Sequence, residues 1–361
     1  MTAEEFRKKL ITSRALAKTG FPMRATLHDV ARLAGVSIKT VSNVIHNHPN
    51  VTKKTSTKVL AAIDTLSYSP NLTARSLRTG RTSMISLVIP ELRNNYFTEL
   101  ADGVIVAAEK YGLTVLIEQT RGDRNKELAI LKNAERNLTD GMIFSALGLG
   151  QGDVELMNVG YPLVLIGENI FDGPKDHVTM KNVEAARAAT EYLIGLGHTC
   201  IAVIGAHRDA INGSARLRLR GYRNALEAAG IEYDEGLIGY TTPWFRSDGA
   251  EVMDELLTRD KDFSAVFALN DLLAFGAMRA LQEKGISIPG EISVMGFDNL
   301  DEAVYSLPSM TSVEPGKKEI AEMSVKTLVE RIDMDDQKQI LGREIEVGFE
   351  ILKRESTARK M

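Results

Sequence analysis

The sequence predicts a small all-α head followed by an α/β body of two lobes with parallel sheets. Residues 24–81 contain short amphipathic helical patterns, and a single glycine separates the first two of them. From residue 82 onward, apolar strand-like runs alternate with amphipathic helical patterns in two consecutive series. This alternation is typical of parallel sheets covered by helices, and its repetition predicts two lobes.

Length and composition indicate a globular protein of more than one domain. The chain has 361 residues, of which 44% are hydrophobic, and this suffices for two or three domains with sizeable cores. No apolar run reaches the roughly 18–20 residues that a membrane span needs, and the N-terminal segment lacks the apolar core of an export signal. We therefore expect a cytoplasmic protein with no membrane partner.

Charge is distributed unevenly along the chain. Residues 24–81 carry a formal charge of +7 and residues 1–23 carry +3, whereas residues 82–361 carry −14. A basic head on an acidic body predicts that the head alone binds a polyanion.

The head begins with the signals of a helix and a tight turn. Thr26 and Asp29 have the spacing of a capping box, so the first helix is expected to begin near Leu27. Gly35 is expected to end this helix, and Ser37 can cap the next one.

The second helical pattern has one packing face and one face that packing does not need. Val41, Val44 and Ile45 share the packing face. The other face carries Ile38, Lys39, Ser42 and Asn43. With a third helix expected at about residues 53–66, this arrangement describes a helix-turn-helix. In a major groove, Lys39 can donate to guanine, Asn43 can pair with adenine, and Ile38 can contact a thymine methyl. The alternative is an ordinary solvated face.

A short basic segment follows the head. Asn71 to Leu77 can form about two helical turns, too few to be stable alone in water. Arg75 and Arg78 can meet phosphates, and Leu77 can act as an apolar wedge between base steps in a minor groove. The alternative is a flexible tether with an incidental leucine.

In the body, polar residues follow the predicted strands. Ligands of such sheets bind beyond the carboxyl ends of the strands, so several of these residues are expected to line a cleft between the lobes. They are Asn94, Asn95, Arg121, Asp123, Glu168, Asn270, Asp271, Asp298 and Asn299.

With these residues in view, the chain resembles the lactose-repressor/galactose-repressor (LacI/GalR) family of bacterial transcription regulators from residue 24 to about 357. "TLHDVARLAGVSIKTVSNVI" resembles the family's DNA-binding signature, and "SPNLTARSLRTGRT" its hinge helix. "SARLRLRGY", "LNDLLAFGAMRAL" and "ISVMGFDN" resemble motifs of its effector-binding body. The resemblance implies a helix-turn-helix head with a hinge helix, and a two-lobed body like that of periplasmic binding proteins.

The resemblance also sets the expected domain boundaries. Residues 1–23 form an N-terminal extension, and the alternatives for it are a disordered basic tail that adds nonspecific DNA contacts and an upstream start that the cell does not use. Residues 24–69 form the DNA-binding domain, and residues 70–81 form the hinge helix and linker. Residues 82–361 form the effector-binding and dimerisation domain. Its N-lobe is expected at about 82–179 and 314–340, and its C-lobe at about 180–313 and 341–361.

For the head, the resemblance implies that Ile38 and Lys39 occupy the two variable base-reading positions. Asn43 occupies a third position, where many family members have arginine, and Leu77 matches the hinge leucine that is inserted at the centre of a near-palindromic operator. The expected DNA-binding residues are Ile38, Lys39, Thr40, Ser42, Asn43, Leu77 and Arg78.

For the body, the resemblance implies that Arg218 binds sugar hydroxyls or a base and that Trp244 stacks on the ligand. A guanidinium, carboxylates and aromatic rings in one cleft suit a polyol. The expected effector-binding residues are Tyr96, Phe97, Glu168, Arg218, Trp244, Asn270 and Asp298.

The expected function is that of a ligand-responsive transcriptional repressor of sugar-utilisation genes, which binds operator DNA as a homodimer at the nucleoid. We expect no cofactor, no metal and no enzymatic activity, because the chain has no phosphate loop, no nucleophile motif and no metal-binding spacing. A periplasmic sugar-binding protein would need an export signal and would not carry the basic head. A global regulator whose body binds a partner protein is the remaining alternative.

Overall fold

The computed structural model describes residues 25–45, 48, 50–68, 81–133, 139–208, 213–334 and 341–360. They belong to two compact units, and the chain divides between Thr82 and Ser83. The predicted N-terminal extension and residues 70–80 of the predicted hinge, with Leu77 and Arg78, lie outside the described residues.

The first unit has the three helices that the sequence predicts: α1 (Leu27–Ala34), α2 (Ile38–Ile45) and α3 (Lys53–Leu66). The capping box is formed, because the Thr26 hydroxyl accepts the Asp29 N–H at 3.3 Å and the Asp29 carboxylate accepts the Thr26 N–H at 3.0 Å. Gly35 ends α1 in the left-handed conformation, with φ of 64°. These local signals determine where the helices begin and end, and the predicted helix-turn-helix is confirmed.

The second unit is an α/β body. Its helices and strands, in chain order, are β1 (Met84–Ile89), α4 (Asn95–Glu109), β2 (Thr114–Gln119), α5 (Arg124–Asn133), β3 (Gly141–Ser145), β4 (Leu163–Ile166), β5 (Asp176–Met180), α6 (Asn182–Gly195), β6 (Ile201–Ala206), α7 (Ser214–Ala228), β7 (Ile238–Tyr240), α8 (Arg246–Thr258), β8 (Ala265–Ala268), α9 (Asp271–Glu283), β9 (Ser293–Phe297), α10 (Glu302–Tyr305), β10 (Thr311–Glu314), α11 (Lys317–Asp333), β11 (Glu344–Val347) and β12 (Glu350–Leu352).

The described part of the body has two sheets, one in each lobe. The N-lobe sheet has the strand order β11-β5-β4-β3-β1-β2, and all its pairs are parallel. The C-lobe sheet has the order β12-β10-β9-β8-β6-β7, in which only β12 runs antiparallel to its neighbour. The predicted α/β architecture of two lobes with parallel sheets is confirmed.

The chain passes from the N-lobe to the C-lobe for the last time at a later residue than the sequence predicted. The sequence placed the C-lobe from about residue 341 onward, but β11 pairs with β5 in the N-lobe, and the chain returns to the C-lobe only at β12. Ion pairs are the physical reason, because Asp176 on β5 is buried and binds Arg331 and Arg343 at 2.6 and 3.1 Å. Burial would raise the pKa of Asp176, but hydrogen bonds from the two arginines lower it to about 2.

The core consists mainly of strand residues and of the helix faces that cover them. Leu87, Ile143, Phe267 and Phe297 are completely buried, as sheets covered by helices require. Within the described ranges, no helix is both long enough and apolar enough to cross a membrane.

Candidate functional site

Helix α2 presents an exposed face next to a buried one. Val41 is completely buried and Val44 is 5% exposed, whereas Ile38 is 38% exposed and Lys39 is exposed. The Ser37 hydroxyl accepts the Thr40 N–H at 3.1 Å and caps the helix. The packing of α2 therefore leaves the first two predicted base-reading side chains accessible.

The other DNA-binding candidates on α2 are partly buried. Ser42 and Asn43 are of intermediate exposure, and Thr40 joins its hydroxyl to that of Ser37 at 2.9 Å. Thr40 therefore also has a structural role in the cap, which sequence analysis did not assign. Base reading by these residues stays a prediction.

The body contains a cavity of about 400 Å³ between the two lobes. A volume of this size is typical of small-molecule sites. All the effector-binding candidates line it: Tyr96, Phe97, Glu168, Arg218, Trp244, Asn270 and Asp298. The structure thus brings together residues that are far apart in sequence and come from both lobes.

Arg218 is fixed in the cavity wall by the protein itself. It is 3% exposed, and its Nε donates to Asn182 Oδ1 at 2.8 Å. Its Nη1 donates to the Leu269 carbonyl, its Nη2 lies 3.4 Å from the Met180 sulfur, and the guanidinium stacks 3.5 Å from the Phe297 ring centroid. Most of its hydrogen-bonding capacity is therefore used before any ligand binds.

Asp298 faces Arg218 in the same wall. Its Oδ1 lies 3.5 Å from Arg218 Nη1, and the residue is 4% exposed. Burial raises the pKa of Asp298 to about 7, although the positive charges of Arg218 and Lys317 oppose the shift. The carboxylates of Glu168 and Glu314 raise this pKa further. A ligand that supplies hydrogen-bond donors would favour the ionised form of this carboxyl group.

The loop that carries Asp298 has an unfavourable backbone conformation. Asp298 and Asn299 have φ angles of 111° and 46°, which non-glycine residues rarely adopt. The buried Asp271 holds this loop, because its carboxylate accepts the Leu300 N–H at 2.7 Å and the Ser312 hydroxyl at 2.6 Å. Strain of this kind persists where the surroundings enforce it, and it is frequent at binding sites.

Trp244 is positioned by the backbone and by Asn270. Its indole N–H donates to the Gly205 carbonyl at 2.9 Å. The Asn270 amide oxygen caps α9 by accepting the Leu273 N–H at 2.8 Å, and its amide nitrogen lies 3.4 Å from the Trp244 carbonyl. Asn270 therefore orients the Trp244 loop in addition to any contact with a ligand, a role that sequence analysis missed.

The cavity also contains buried polar atoms with no partner. Among the described residues, four buried side-chain atoms lack a hydrogen bond: Glu168 Oε1, Thr179 Oγ1, His207 Nε2 and Ser324 Oγ. Glu168, Thr179 and His207 line the cavity. A buried polar atom without a partner is costly, so these atoms indicate where a ligand or water binds.

His207 and Thr179 were not predicted as site residues. The His207 ring lies 5.4 Å from the Trp244 ring, and burial lowers the pKa of His207, although a hydrogen bond to the Thr241 backbone opposes the shift. Burial therefore favours the neutral form of the His207 imidazole. No local sequence signal distinguishes these two residues, because only the packed lobes place them at the cavity.

Of the polar residues predicted at strand ends, some line the cavity and others do not. Asn94, Glu168, Asn270 and Asp298 line it. Asn95, Arg121, Asp123, Asp271 and Asn299 are absent from its lining. Asp271, at the start of α9, instead holds the loop that carries Asp298, and Asn299 belongs to that loop.

Family models match both the head and the body of this chain. Residues 26–71 match the model of the bacterial regulatory proteins of the lacI family, and residues 190–357 match the periplasmic binding protein-like domain. The HTH-type transcriptional regulator DegA of Bacillus subtilis is 36% identical over 82% of this chain and 88% of its own length.

Two further relatives extend the comparison. The ribose operon repressor of Escherichia coli is 33% identical over 87% of this chain and 95% of its own length. The crystal structure of the Lac repressor dimer bound to operator and an anti-inducer superposes with a TM-score of 0.77 at 25% identity, covering 93% of this chain and all of that chain. The chain is therefore a DNA-binding transcriptional regulator and belongs to the lacI family of bacterial regulatory proteins.

Proposed function

We propose that this regulator is a repressor of sugar-utilisation genes whose affinity for its operator is controlled by a small carbohydrate bound in the cavity between the lobes. One observation carries the proposal: Arg218, Asp298, Glu168 and Trp244, from separate parts of the chain, meet around one cavity. Charged side chains form hydrogen bonds with the hydroxyls of a sugar, and aromatic rings pack against its C–H surface.

The relatives support both halves of this proposal. One of them is a ribose operon repressor, and another is a dimer bound to operator. By analogy, this chain acts as a homodimer on a near-palindromic operator, at the nucleoid, and works by binding rather than by catalysis. Ile38, Lys39, Thr40, Ser42 and Asn43 read the major groove. Leu77 and Arg78 contact the DNA from the hinge.

A ligand controls DNA binding only if it binds the two conformations of the protein with different affinity. Because the cavity lies between the lobes, a ligand that contacts both lobes favours one arrangement of them. The change reaches the DNA through the hinge segment, which is too short to be stable alone as a helix.

Selection of bound sequences from random double-stranded DNA, followed by a screen of sugars for release, tests the proposal. We expect a near-palindromic consensus and a sugar that changes operator affinity by about 5- to 150-fold, the usual range of coupling between sites. Failure to enrich any sequence would contradict the DNA-binding half. An enriched operator whose affinity no carbohydrate changes would contradict the effector half.

A further inference from the structure

The polar groups that remain free in the cavity define which ligand it accepts. Among the described residues, three buried side-chain atoms of the lining have no partner, and each of them can accept a hydrogen bond: Glu168 Oε1, Thr179 Oγ1 and His207 Nε2. Because His207 Nε2 has no partner, the hydrogen bond to the Thr241 backbone involves the other ring nitrogen, and in the tautomer that donates this bond Nε2 is an acceptor.

Among the described residues, Arg218 is the one arginine or lysine that lines the cavity. A guanidinium has five N–H donors, and three of those of Arg218 donate to Asn182 Oδ1, the Leu269 carbonyl and the Met180 sulfur. Its Nη1 also lies 3.5 Å from Asp298 Oδ1, as an ion pair. A carboxylate or phosphate group is bound most strongly by two parallel N–H groups, whereas each of the three nitrogens of Arg218 already has a partner in the protein.

The charge of the cavity also disfavours anions. Among the described residues, its lining contains three acidic residues, Glu91, Glu168 and Asp298, and one arginine or lysine, Arg218. The starts of two helices at the cavity, which could attract an anion, are already occupied. Asn94 Oδ1 accepts the Tyr96 N–H at 3.1 Å at the start of α4, and Asn270 caps α9.

A third helix, α7, starts at the cavity beside a carboxylate. The Ser214 hydroxyl donates to Glu168 Oε2 at 2.7 Å, which places this negative charge at the first residue of α7. An incoming anion would therefore meet Glu168 rather than free N–H groups.

From these contacts we infer that the cavity selects an uncharged polyhydroxylated ligand and rejects sugars that carry a phosphate or carboxylate group, with Thr179 and His207 as ligand-binding residues in addition to Glu168. This inference rests on the proposed function and narrows its ligand class. The ligand hydroxyls donate to Glu168 Oε1 and His207 Nε2. Since these two residues lie on opposite lobes, a ligand that binds both holds the lobes together.

The ligand class is tested by calorimetry and thermal shift on the full chain with matched sets of sugars. The sets are D-glucose with glucose 6-phosphate, gluconate and glucosamine; D-ribose with ribose 5-phosphate and ribonate; and cellobiose with cellobionate. We expect one or more neutral sugars to bind, and their anionic derivatives to bind about a hundredfold more weakly, because like charges placed side by side cost several kcal/mol.

Three other binding results would each contradict a different claim. An anionic derivative that binds as tightly as its neutral parent overturns this inference and leaves the proposed function standing. Glucosamine bound in preference to glucose overturns the assignment of an uncharged ligand. No binding by any carbohydrate, neutral or charged, overturns both the inference and the carbohydrate effector.

The role of Thr179 has a second readout that needs no ligand. Thr179→Val keeps the shape of the side chain and removes a buried hydroxyl that has no partner, so the ligand-free protein should unfold at the same or a higher temperature. Sugar affinity should fall about fivefold through loss of one hydrogen bond. Thr190→Val is the matched control, because the buried Thr190 hydroxyl donates to the Ala186 carbonyl at 2.9 Å away from the cavity lining.

Thr190→Val should leave sugar affinity unchanged and lower the unfolding temperature. If Thr179→Val lowers the unfolding temperature as much as Thr190→Val does, the Thr179 hydroxyl is satisfied within the protein and is not a ligand-binding group. If Thr179→Val leaves sugar affinity unchanged, Thr179 is likewise excluded from the site.

Discussion

The ammonium group of Lys317 lies 3.1 Å from Glu99 Oε2 and donates to the Asn299 carbonyl at 2.7 Å. It also donates to the Asp298 carbonyl. Glu99 belongs to α4 in the N-lobe, whereas Asp298 and Asn299 follow β9 in the C-lobe. A buried lysine at the start of α11 therefore joins the helix that begins at the cavity to the loop that carries Asp298.

Removal of this ammonium group should weaken the communication between the lobes. We expect Lys317→Met to keep its sugar affinity within about tenfold of wild type. The ligand-induced change in operator affinity should become at least about fivefold smaller than in wild type, where the usual coupling is about 1–3 kcal/mol. Fluorescence anisotropy of labelled operator, with and without the sugar found in the screen, measures the change. The methionine keeps the aliphatic stem, so most packing is preserved.

Lys318→Met is the control for this variant, because Lys318 is the next residue and is exposed. It should keep the full ligand response. An unchanged response in Lys317→Met would show that the Asp298 loop and α4 do not communicate through this contact.

The sequence predicted the structural features that depend on residues close together in the chain. Thr26 and Asp29 cap α1, and Gly35 ends it, because capping depends on residues three or four positions apart. Alternating apolar runs likewise predicted both sheets, since burial on two faces requires continuous apolar strands.

The sequence did not predict the features that depend on partners far away in the chain. Strand β5 begins with Asp176 and His177, which do not resemble a buried strand until Arg331, Arg343 and Glu344 return to pair with them. The extra β11 of the N-lobe was missed for the same reason.

Some residues of the candidate site were likewise predicted from the sequence, and others are identified only by the structure. The residues expected from sequence motifs meet at the cavity, whereas Thr179 and His207 are recognised only because packing leaves their polar atoms buried without partners. The bridging role of Lys317 depends on contacts with residues some 20 to 220 positions away, which no local pattern reports.

If Lys39 contacts a base, its removal should change the base preference at one operator position rather than the overall affinity for DNA. Lys39→Ala should lose preference at one symmetric position of each half-site, by about 1–3 kcal/mol, because a side chain that contacts a base edge discriminates only that base pair. Selection from random DNA with wild type and variant measures it. Lys58→Ala, the same change of charge at an exposed position of α3, should keep the consensus.

Equal weakening at every position in Lys39→Ala would identify Lys39 as a phosphate contact. Such contacts orient a protein on DNA but carry no sequence information.

Leu77 is predicted to act only where base steps are opened. Leu77→Ala should therefore weaken operator binding by at least about tenfold and leave binding to random DNA and the unfolding temperature nearly unchanged, since unstacking costs a few kcal/mol that the wedge offsets. Competition binding on operator and random duplexes measures the difference. Leu60→Ala, at a position 53% exposed on α3, serves as the control. Equal losses on both kinds of DNA would contradict the wedge.

Asp298 links the cavity to the pH dependence of stability. Its pKa is raised from 3.8 to about 7 by burial, so between about pH 4 and pH 7 the folded protein holds a proton that the unfolded chain has released. The contribution of Asp298 to the stability of the ligand-free body therefore decreases as the pH rises through this window. At about 1.4 kcal/mol per pKa unit, the full decrease is at most about 4 kcal/mol.

Asp298→Asn removes this titration and should separate stability from ligand response. At pH 5 the variant should unfold near the wild-type temperature, because the wild-type side chain is then neutral, and at pH 8 it should be more stable by about 1–4 kcal/mol. Its operator affinity without ligand should stay near wild type, whereas the response to sugar should be lost, because the amide replaces a carboxylate that accepts ligand hydroxyls. Thermal unfolding at both pH values and anisotropy with operator measure these effects. A full sugar response in Asp298→Asn would place the effector elsewhere, and a stability difference that is equal at pH 5 and pH 8 would show that Asp298 does not titrate in this window.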